Sequence, residues 1–467
     1  MKLRVCFVAL IAGLLFAMTP IAAPAQTFKT LLNFDGSNGS QPNYSQLVLG
    51  TDGQLYGATF IGGATNHGTV FKITTVGTIT TLYSFCTKTN CPDGDGPASL
   101  MQSSDGNFYG TTYYGGINNL GTIFKMTPKG ALTTLHTFSG NDGAYPDVAL
   151  VQATDGNFYS TTGAGGRNGT GDGTVFTMTQ SGVLTTLYSF CSESNCADGR
   201  FPGGLIQARN QMLYGGTGDG GANGGGTFYK ITPKGVLTTV YNFCSERNCT
   251  DGSLPYIGVQ GSDGDFYGMT TLNGANNYGT VFRITSEGAL TTLHSFNNSD
   301  GAQADTPLIQ GADGKFYGTT GQGGNYGVGT VFQITSRGDL NTPHNFDGSD
   351  GSLPYAGLVQ DTDGIFYGTT LQGGTHNLGT IFTEAVRPRP FVAIRLTSGR
   401  VGAKVIIIGN NLRAATGVAF NGTEATFQVV SKTEIKTIVP KGASTGFVTV
   451  TTPKMKLKSN VAFQVIK

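Results

Sequence analysis

Three short blocks, each occurring seven times at intervals of about fifty residues, constrain this chain more than any other feature. The first is D-G-x-[FL]-Y-G, as in "DGQLYG" at 52 and "DGNFYG" at 105, with "NQMLYG" at 210 as its most divergent copy. The second, G-T-[VI]-F, begins at Gly68, Gly121, Gly173, Gly279, Gly329 and Gly379, with "GTFY" at Gly226 as a variant. The third, L-T-T-L-[YH]-S-F, ends at Phe85, Phe138, Phe190, Phe243, Phe296 and Phe346. "FKTLLNF", ending at Phe34, is its seventh copy. Each block has the length of a strand, and Asp-Gly between apolar runs suits a tight hairpin because Gly takes the positive φ that the turn demands. The stretch before each D-G, such as "LVQATDG", supplies a further strand. One unit is thus four strands, named a to d. In "NFYG", Phe108 and Tyr109 are neighbours and face opposite sides, so both sides of the sheet must be covered. Four-stranded units covered on both faces predict a β-propeller. A linear solenoid is the alternative, although its repeats usually run nearer 20 to 30 residues.

The order of the blocks carries the closure. The array opens on a lone strand d and ends on a strand c near Phe382. A ring lets the first strand complete the last unit, which removes a sheet edge. The expectation is therefore an all-β chain with a seven-bladed propeller closed by its N-terminal strand. The composition agrees: 73 Gly, 12% charged residues, no Trp, and Thr, Tyr, Phe and Val recurring between Gly-rich turns, a strand-and-turn pattern.

Residues 1–25 read as a secretory signal, with Lys2 and Arg4 before an apolar run and Ala23-Pro24-Ala25 as the cleavage site. No later segment reaches the ~20 apolar residues of a membrane helix. The expectation is a protein outside the cytoplasm, secreted or at the cell surface. The propeller is assigned to residues 26–386 and a second domain to 387–467, across "VRPRP". Charge divides at the same place. Gln26 to Val386 holds 14 Lys and Arg against 26 Asp and Glu, whereas Arg387 to Lys467 holds 13 against 2. Such asymmetry suggests different partners, or mutual attraction between the domains.

Six cysteines follow the signal, in the frames "CTKTNC", "CSESNC" and "CSERNC". From the strand-d Phe to the next Pro is 12 residues in these repeats and usually 8 elsewhere. The simplest reading in an exported protein is pairing within each frame, Cys86–Cys91, Cys191–Cys196 and Cys244–Cys249. C-x4-C is poor zinc spacing.

Strands alternate in direction, so the d-to-a and b-to-c loops share one face. The b-to-c loops are the most variable, and variable loops on a rigid scaffold favour binding. Candidate ligand contacts there are His67, Tyr113, Tyr114, Arg167, Tyr278, Tyr326 and His376; each also suits a solvated loop side chain. A series Asn38, Asp93, Asp142, Asp198, Asp251, Asp300 and Asp350 could line a calcium rim or simply form turns. His136, His294 and His344 occupy the strand-d position held elsewhere by Tyr, which implies packing. No nucleophile elbow, zinc-protease motif or phosphate loop occurs, so no cofactor and no catalytic residue is assigned.

The segment from Gly402, through "VIIIGNNL", "GVAFNGTEATF" and "TEIKTIVPKGASTGFVTVTTP" to "VAFQV", resembles the IPT/TIG family, which implies an immunoglobulin-like sandwich with an interaction role. The usual Gly-rich hairpin after "TTP" is replaced by "KMKLKS". The seven units resemble the GloVer tandem repeat of exported bacterial proteins (choice-of-anchor type), through D-G-x-F-Y-G-T-T, the G-G loop, G-T-V-F-K-I-T and L-T-T-L-Y-S-F. The reading is a non-catalytic binding or adhesion protein for an extracellular glycan or protein. Its basic domain is available to an anionic surface, and nucleic acid is no partner. The alternative is a polysaccharide lyase or hydrolase working at the propeller channel; a cluster of unlike polar residues facing that channel would favour it.

Overall fold

The computed structural model describes residues 27–42, 46–167, 171–385 and 390–466. The signal read at 1–25 and most of the linker lie outside them. Each repeat is a four-stranded antiparallel sheet in the order a-b-c-d. Blade 2, for example, comprises Asp95–Gln102, Phe108–Tyr114, Thr122–Met126 and Leu132–Thr137. There are seven such sheets. In the seventh, Val359–Gln360, Ile365–Thr370 and Thr380–Ala385 form a to c, and Thr27–Asn33 is strand d. Its register runs from Thr27↔Ala385 to Asn33↔Thr380. Phe28 stacks on His344 at 3.4 Å and also meets Phe346 and Phe382. The opening strand therefore closes the ring, as its incomplete repeat predicts.

The repeated residues are repeated because each closes a local bond. In five blades the Tyr of block one buries its ring between blades and donates its hydroxyl to the Asp four residues earlier, as in Tyr56 to Asp52 at 2.8 Å, Tyr109 to Asp105 at 3.0 Å and Tyr317 to Asp313 at 2.7 Å; Tyr214 instead accepts from Asn210, and Tyr367 donates to Asp361. That satisfies a polar group which burial would otherwise strand. A Thr pair ties strand b to strand c in every blade, as at Thr59 and Thr69, 2.9 Å apart. Block two opens on Gly because a Cβ at Gly68 would lie 2.4 Å from the Thr59 carbonyl, at a φ of +89°. Apolar rows then fuse neighbouring blades: Tyr56, Val70 and Phe85 of blade 1 pack with Leu100, Phe108 and Phe124 of blade 2.

The three cysteine frames are closed as Cys86–Cys91, Cys191–Cys196 and Cys244–Cys249. They precede blades 2, 4 and 5, whose a strands are eight residues long: Asp95–Gln102, Arg200–Gln207 and Ser253–Gln260. In the other blades strand a keeps two paired residues, as in Val151–Gln152, and a single bridge above them, as in Ala144↔Ala164. Spacing explains the difference. Pro97 to Gln102, Pro202 to Gln207 and Pro255 to Gln260 are five residues apart, and Pro146 to Gln152 and Pro354 to Gln360 are six. The ladder absorbs one extra residue as a bulge, but a second breaks it.

The C-terminal domain is a sandwich. One sheet orders Ala393–Arg395, Lys404–Ile408, Glu434–Ile438 and Phe427–Val429; the other orders Ser398–Arg400, Lys456–Ile466, Gly446–Thr451, Gly417–Phe420 and Thr423–Ala425. Val405, Ile407, Val418, Ile435, Val448 and Phe463 lie between them. The domain docks on the lower face of the ring, where the a-to-b turns lie, at the junction of blades 7 and 1. Ile406 and Ile408 join the apolar cluster of Leu47, Leu49, Phe71 and Ile381. Phe391 N donates to Thr362 O at 3.0 Å, Thr433 Oγ1 to Thr51 O at 2.9 Å, and Arg395 Nη2 to Leu49 O. Among the described residues no ion pair crosses this junction. The opposite charges of the two domains are thus not what joins them at the contact. Among the described residues no helix is long and apolar enough to cross a membrane.

Candidate ligand site at the upper mouth of the channel

The channel runs down the ring axis, between the seven a strands. Its upper rim is built from one residue per blade, immediately before the Pro of each repeat or, in blade 6, Ala304. Gln41, Gly96, Tyr145, Phe201, Leu254, Gln303 and Leu353 all hold φ between 52° and 61°. Each N–H donates to a carbonyl in the b-to-c loop of the preceding blade, as in Tyr145 N to Leu120 O at 2.9 Å and Phe201 N to Asp172 O at 2.9 Å. Six of the seven carry a side chain in the left-handed region, which is uncommon outside Gly, Asn and Asp. Sevenfold inter-blade bonding holds the rim there.

Two residues further along the chain, the symmetry ends. That position is Ala98, Asp147, Gly203, Tyr256, Asp305 and Tyr355 in blades 2 to 7. Asp147, Tyr256, Asp305 and Tyr355 line one cavity of about 240 Å³ in the channel, together with Gln46 and Ser99. Both aspartates belong to blades whose a strand is broken by the second extra residue, while Tyr256 reaches the same cavity from the unbroken blade 5. Burial pushes Asp147 up to about 6 and Asp305 up to about 7. Asp305 Oδ1 is buried and has no hydrogen-bond partner among the described residues.

Beside Asp147 stands an aromatic shelf. Tyr145 stacks on Tyr113 at 5.1 Å, Tyr113 meets Tyr114 at 4.7 Å, and Phe60 meets both at 6.1 and 6.4 Å. Tyr145 belongs to the rim and is two residues from Asp147, while none of the four aromatics lines the cavity itself. Of the seven loop residues named from sequence, the structure gathers only Tyr113 and Tyr114. His67 pairs with Asp95 at 3.0 Å. Arg167 is exposed on its own loop, Tyr278 and Tyr326 are 38% and 65% exposed in blades 5 and 6, and His376 is exposed near Asp35. Phe60, Tyr145, Asp147 and Asp305 escaped sequence reasoning. The readable signal was the six-residue spacing from Pro146 to Gln152.

The second aspartate series is engaged internally. Tyr83 donates to Asp93 at 2.7 Å and Tyr188 to Asp198 at 2.8 Å, while His136, His294 and His344 bond Asp142, Asp300 and Asp350 at 2.8 to 2.9 Å. Tyr and His interchange there because each presents a donor to the turn carboxylate. The clusters His67–Cys86–Cys91 and Asp172–Cys191–Cys196 use disulfide sulfurs, which are not thiolate ligands.

Among solved structures, the chain is similar over 95% of its length to all of a fungal alcohol oxidase of the AA5 family, determined with copper, at 11% identity and a TM-score of 0.52. It is similar to two extracellular domains from B. thetaiotaomicron described as parts of hybrid two-component systems, at 11% and 13% identity and a TM-score of 0.51 for each. These matches cover 95% and 93% of this chain, which spans 59% and 57% of theirs. At such identity the likeness is one of fold. Copper(II) favours imidazole ligands, and no described histidine lines the channel cavity. No curated protein matches the chain by sequence. The Gloeobacter/Verrucomicrobia repeat matches residues 9–206 and 172–382 and the IPT/TIG domain residues 391–465, so the chain belongs to the Gloeobacter/Verrucomicrobia repeat family and carries a C-terminal IPT/TIG domain.

Proposed function

We propose that the chain binds a neutral glycan, end-on, at the upper mouth of the channel, outside the cytoplasm, without transforming it. The observation that carries this reading is the shelf of Phe60, Tyr113, Tyr114 and Tyr145 at the rim, two residues along the chain from Asp147 in the channel cavity. Aromatic rings offer an apolar surface with a polar tip, which suits a sugar's C–H face and hydroxyl rim. Asp147, Gln46 and Ser99 supply hydrogen-bonding groups below it. The three disulfides fit an oxidising compartment. A glycan array on the full-length chain, repeated with Tyr113→Ala and Tyr145→Ala, tests the site. Saturable binding weakened at least tenfold by both changes is expected. Binding that neither change affects would move the site elsewhere.

A second reading has its own observation. Two carboxyl groups face one cavity with elevated proton affinities, a property that glycoside hydrolysis demands of its general acid. Release of reducing ends from a polysaccharide, abolished by Asp147→Asn and Asp305→Asn, would establish hydrolysis. Binding without release keeps the first reading.

A further inference from the structure

A second cavity lies on the opposite side of the ring. The C-terminal domain overhangs the lower mouth of the channel, leaving a cleft of about 440 Å³ between Ile394–Ser398, Val461 and Ala462 on one side and the lower ends of the a strands of blades 2 to 5 on the other. The volume is within the range of small-molecule sites. The walls are apolar at Met101, Leu150, Ile206, Leu396 and Val461 and polar at the strand-end glutamines.

Arg395 is the anomaly in this cleft. Its guanidinium carries five N–H donors, and the hydrogen bond found for it goes from Nη2 to the carbonyl of Leu49. Its Nε is buried without a partner among the described residues. No described carboxylate pairs with it, and no acidic residue lines the cleft. Burial pulls its pKa down to about 10, with no neighbouring charge contributing. The other charged residue in the lining is Arg209, already spent on the carbonyls of Gly261 and Ser262. An uncompensated buried cation is strongly unfavourable. With Nη2 spent and Nε out of reach of the cleft, the donors left are those of Nη1, and a carboxylate is the group that matches them. Leu396, the next residue, is held at a φ of 65°, a strained backbone of the kind that gathers at ligand clamps.

We propose that this interdomain cleft binds a small amphipathic carboxylate, with the carboxyl group on Arg395 and the apolar body against Ile206, Leu396 and Val461. The site is separate from the upper mouth and stands whether or not a glycan binds there.

The test is thermal unfolding of the full-length chain titrated with hexanoate, benzoate and glucuronate, against hexanamide and inorganic phosphate. At least one carboxylate is expected to raise the midpoint saturably by a few degrees, with no rise from hexanamide. Ala462→Phe narrows the cleft and is expected to abolish the rise; Arg395→Lys is expected to weaken the carboxylate at least tenfold. If either variant fails to fold, saturation-transfer NMR on the unaltered chain replaces it, with contact expected along the apolar part of the carboxylate. No rise with any carboxylate, an equal rise with hexanamide, a rise with phosphate alone, or a response unchanged in Ala462→Phe would each overturn the proposal.

Discussion

Between blades 1 and 2 the backbone N–H of Thr51 donates to Gln102 Oε1 at 3.0 Å, and Gln102 Nε2 donates to Gly106 O at 3.1 Å. The same bracket recurs at Gln152, Gln207, Gln260, Gln310 and Gln360, each accepting from the turn of the preceding blade. Between blades 7 and 1 the corresponding residue is Leu49, and the bracket is missing. There the C-terminal domain docks, placing Ile408 against Leu49 and tying Thr362, Leu49 and Thr51 through Phe391, Arg395 and Thr433. Six junctions join blades adjacent in sequence. The seventh joins the ends of the array, as where Thr369 Oγ1 donates to Pro42 O across 327 residues, and so closes the longest loop. Neighbouring blades need one glutamine; the seam uses a whole domain.

Deleting Thr27–Asn33 removes the outer strand of blade 7, with Leu31 and Leu32 at the seam and the Phe28 contacts to blade 6. The full-length chain should then lose about 5 kcal/mol or more, read as a fall of at least ten degrees in the circular-dichroism midpoint. An unchanged midpoint would mean that the ring does not depend on this strand. Leu49→Gln supplies the missing bracket residue, yet it puts an amide into a cluster where Leu49 is 7% exposed. Urea unfolding should show a loss of about 2–4 kcal/mol; a gain would show that the seam accepts the ordinary bracket. Gln260→Leu imports the seam's residue into a regular junction, orphans Arg209 N, and should cost about 1–3 kcal/mol.

Acidity sharpens a second contrast, between broken and continuous a strands. Unfolded Asp titrates near 4, while Asp147 and Asp305 titrate at about 6 and about 7 in the fold. From about pH 4 to 7 the unfolded chain releases these protons first, so their contribution to stability falls as pH rises. Asp147→Asn with Asp305→Asn should therefore stabilise by about 1–3 kcal/mol at pH 8 and have no effect at pH 4. A benefit equal at both pH values would exclude titration as its source. Thr433→Val, which removes one hydrogen bond at the seam, should have the smallest effect, about 1 kcal/mol.

Much of the fold was legible because it is periodic. Every copy of Tyr109 or Phe124 does the same work, so the blocks reveal strands, blade count and the displaced strand together. The cysteine frames were legible as insertions against that period. What breaks the period was hidden: Asp147 and Asp305 look like ordinary loop acids until the residues between rim and glutamine are counted. Tyr145 lies outside the loops that supply Tyr113 and Tyr114, and only the ring geometry stacks them. Arg395 carries no sequence signal, since its isolation depends on where the sandwich lands.

Ring closure also sets an order of events. Thr27–Asn33 leaves the ribosome ahead of every other propeller strand and pairs with Thr380–Ala385, synthesised on the order of tens of seconds later at ordinary elongation rates. Until then Phe28 is uncovered and the strand is an unpaired edge open to other chains. A chain cut short anywhere before Thr380 never covers it. The displaced strand thus marks unfinished molecules, giving a quality-control machinery a way to distinguish them from complete ones.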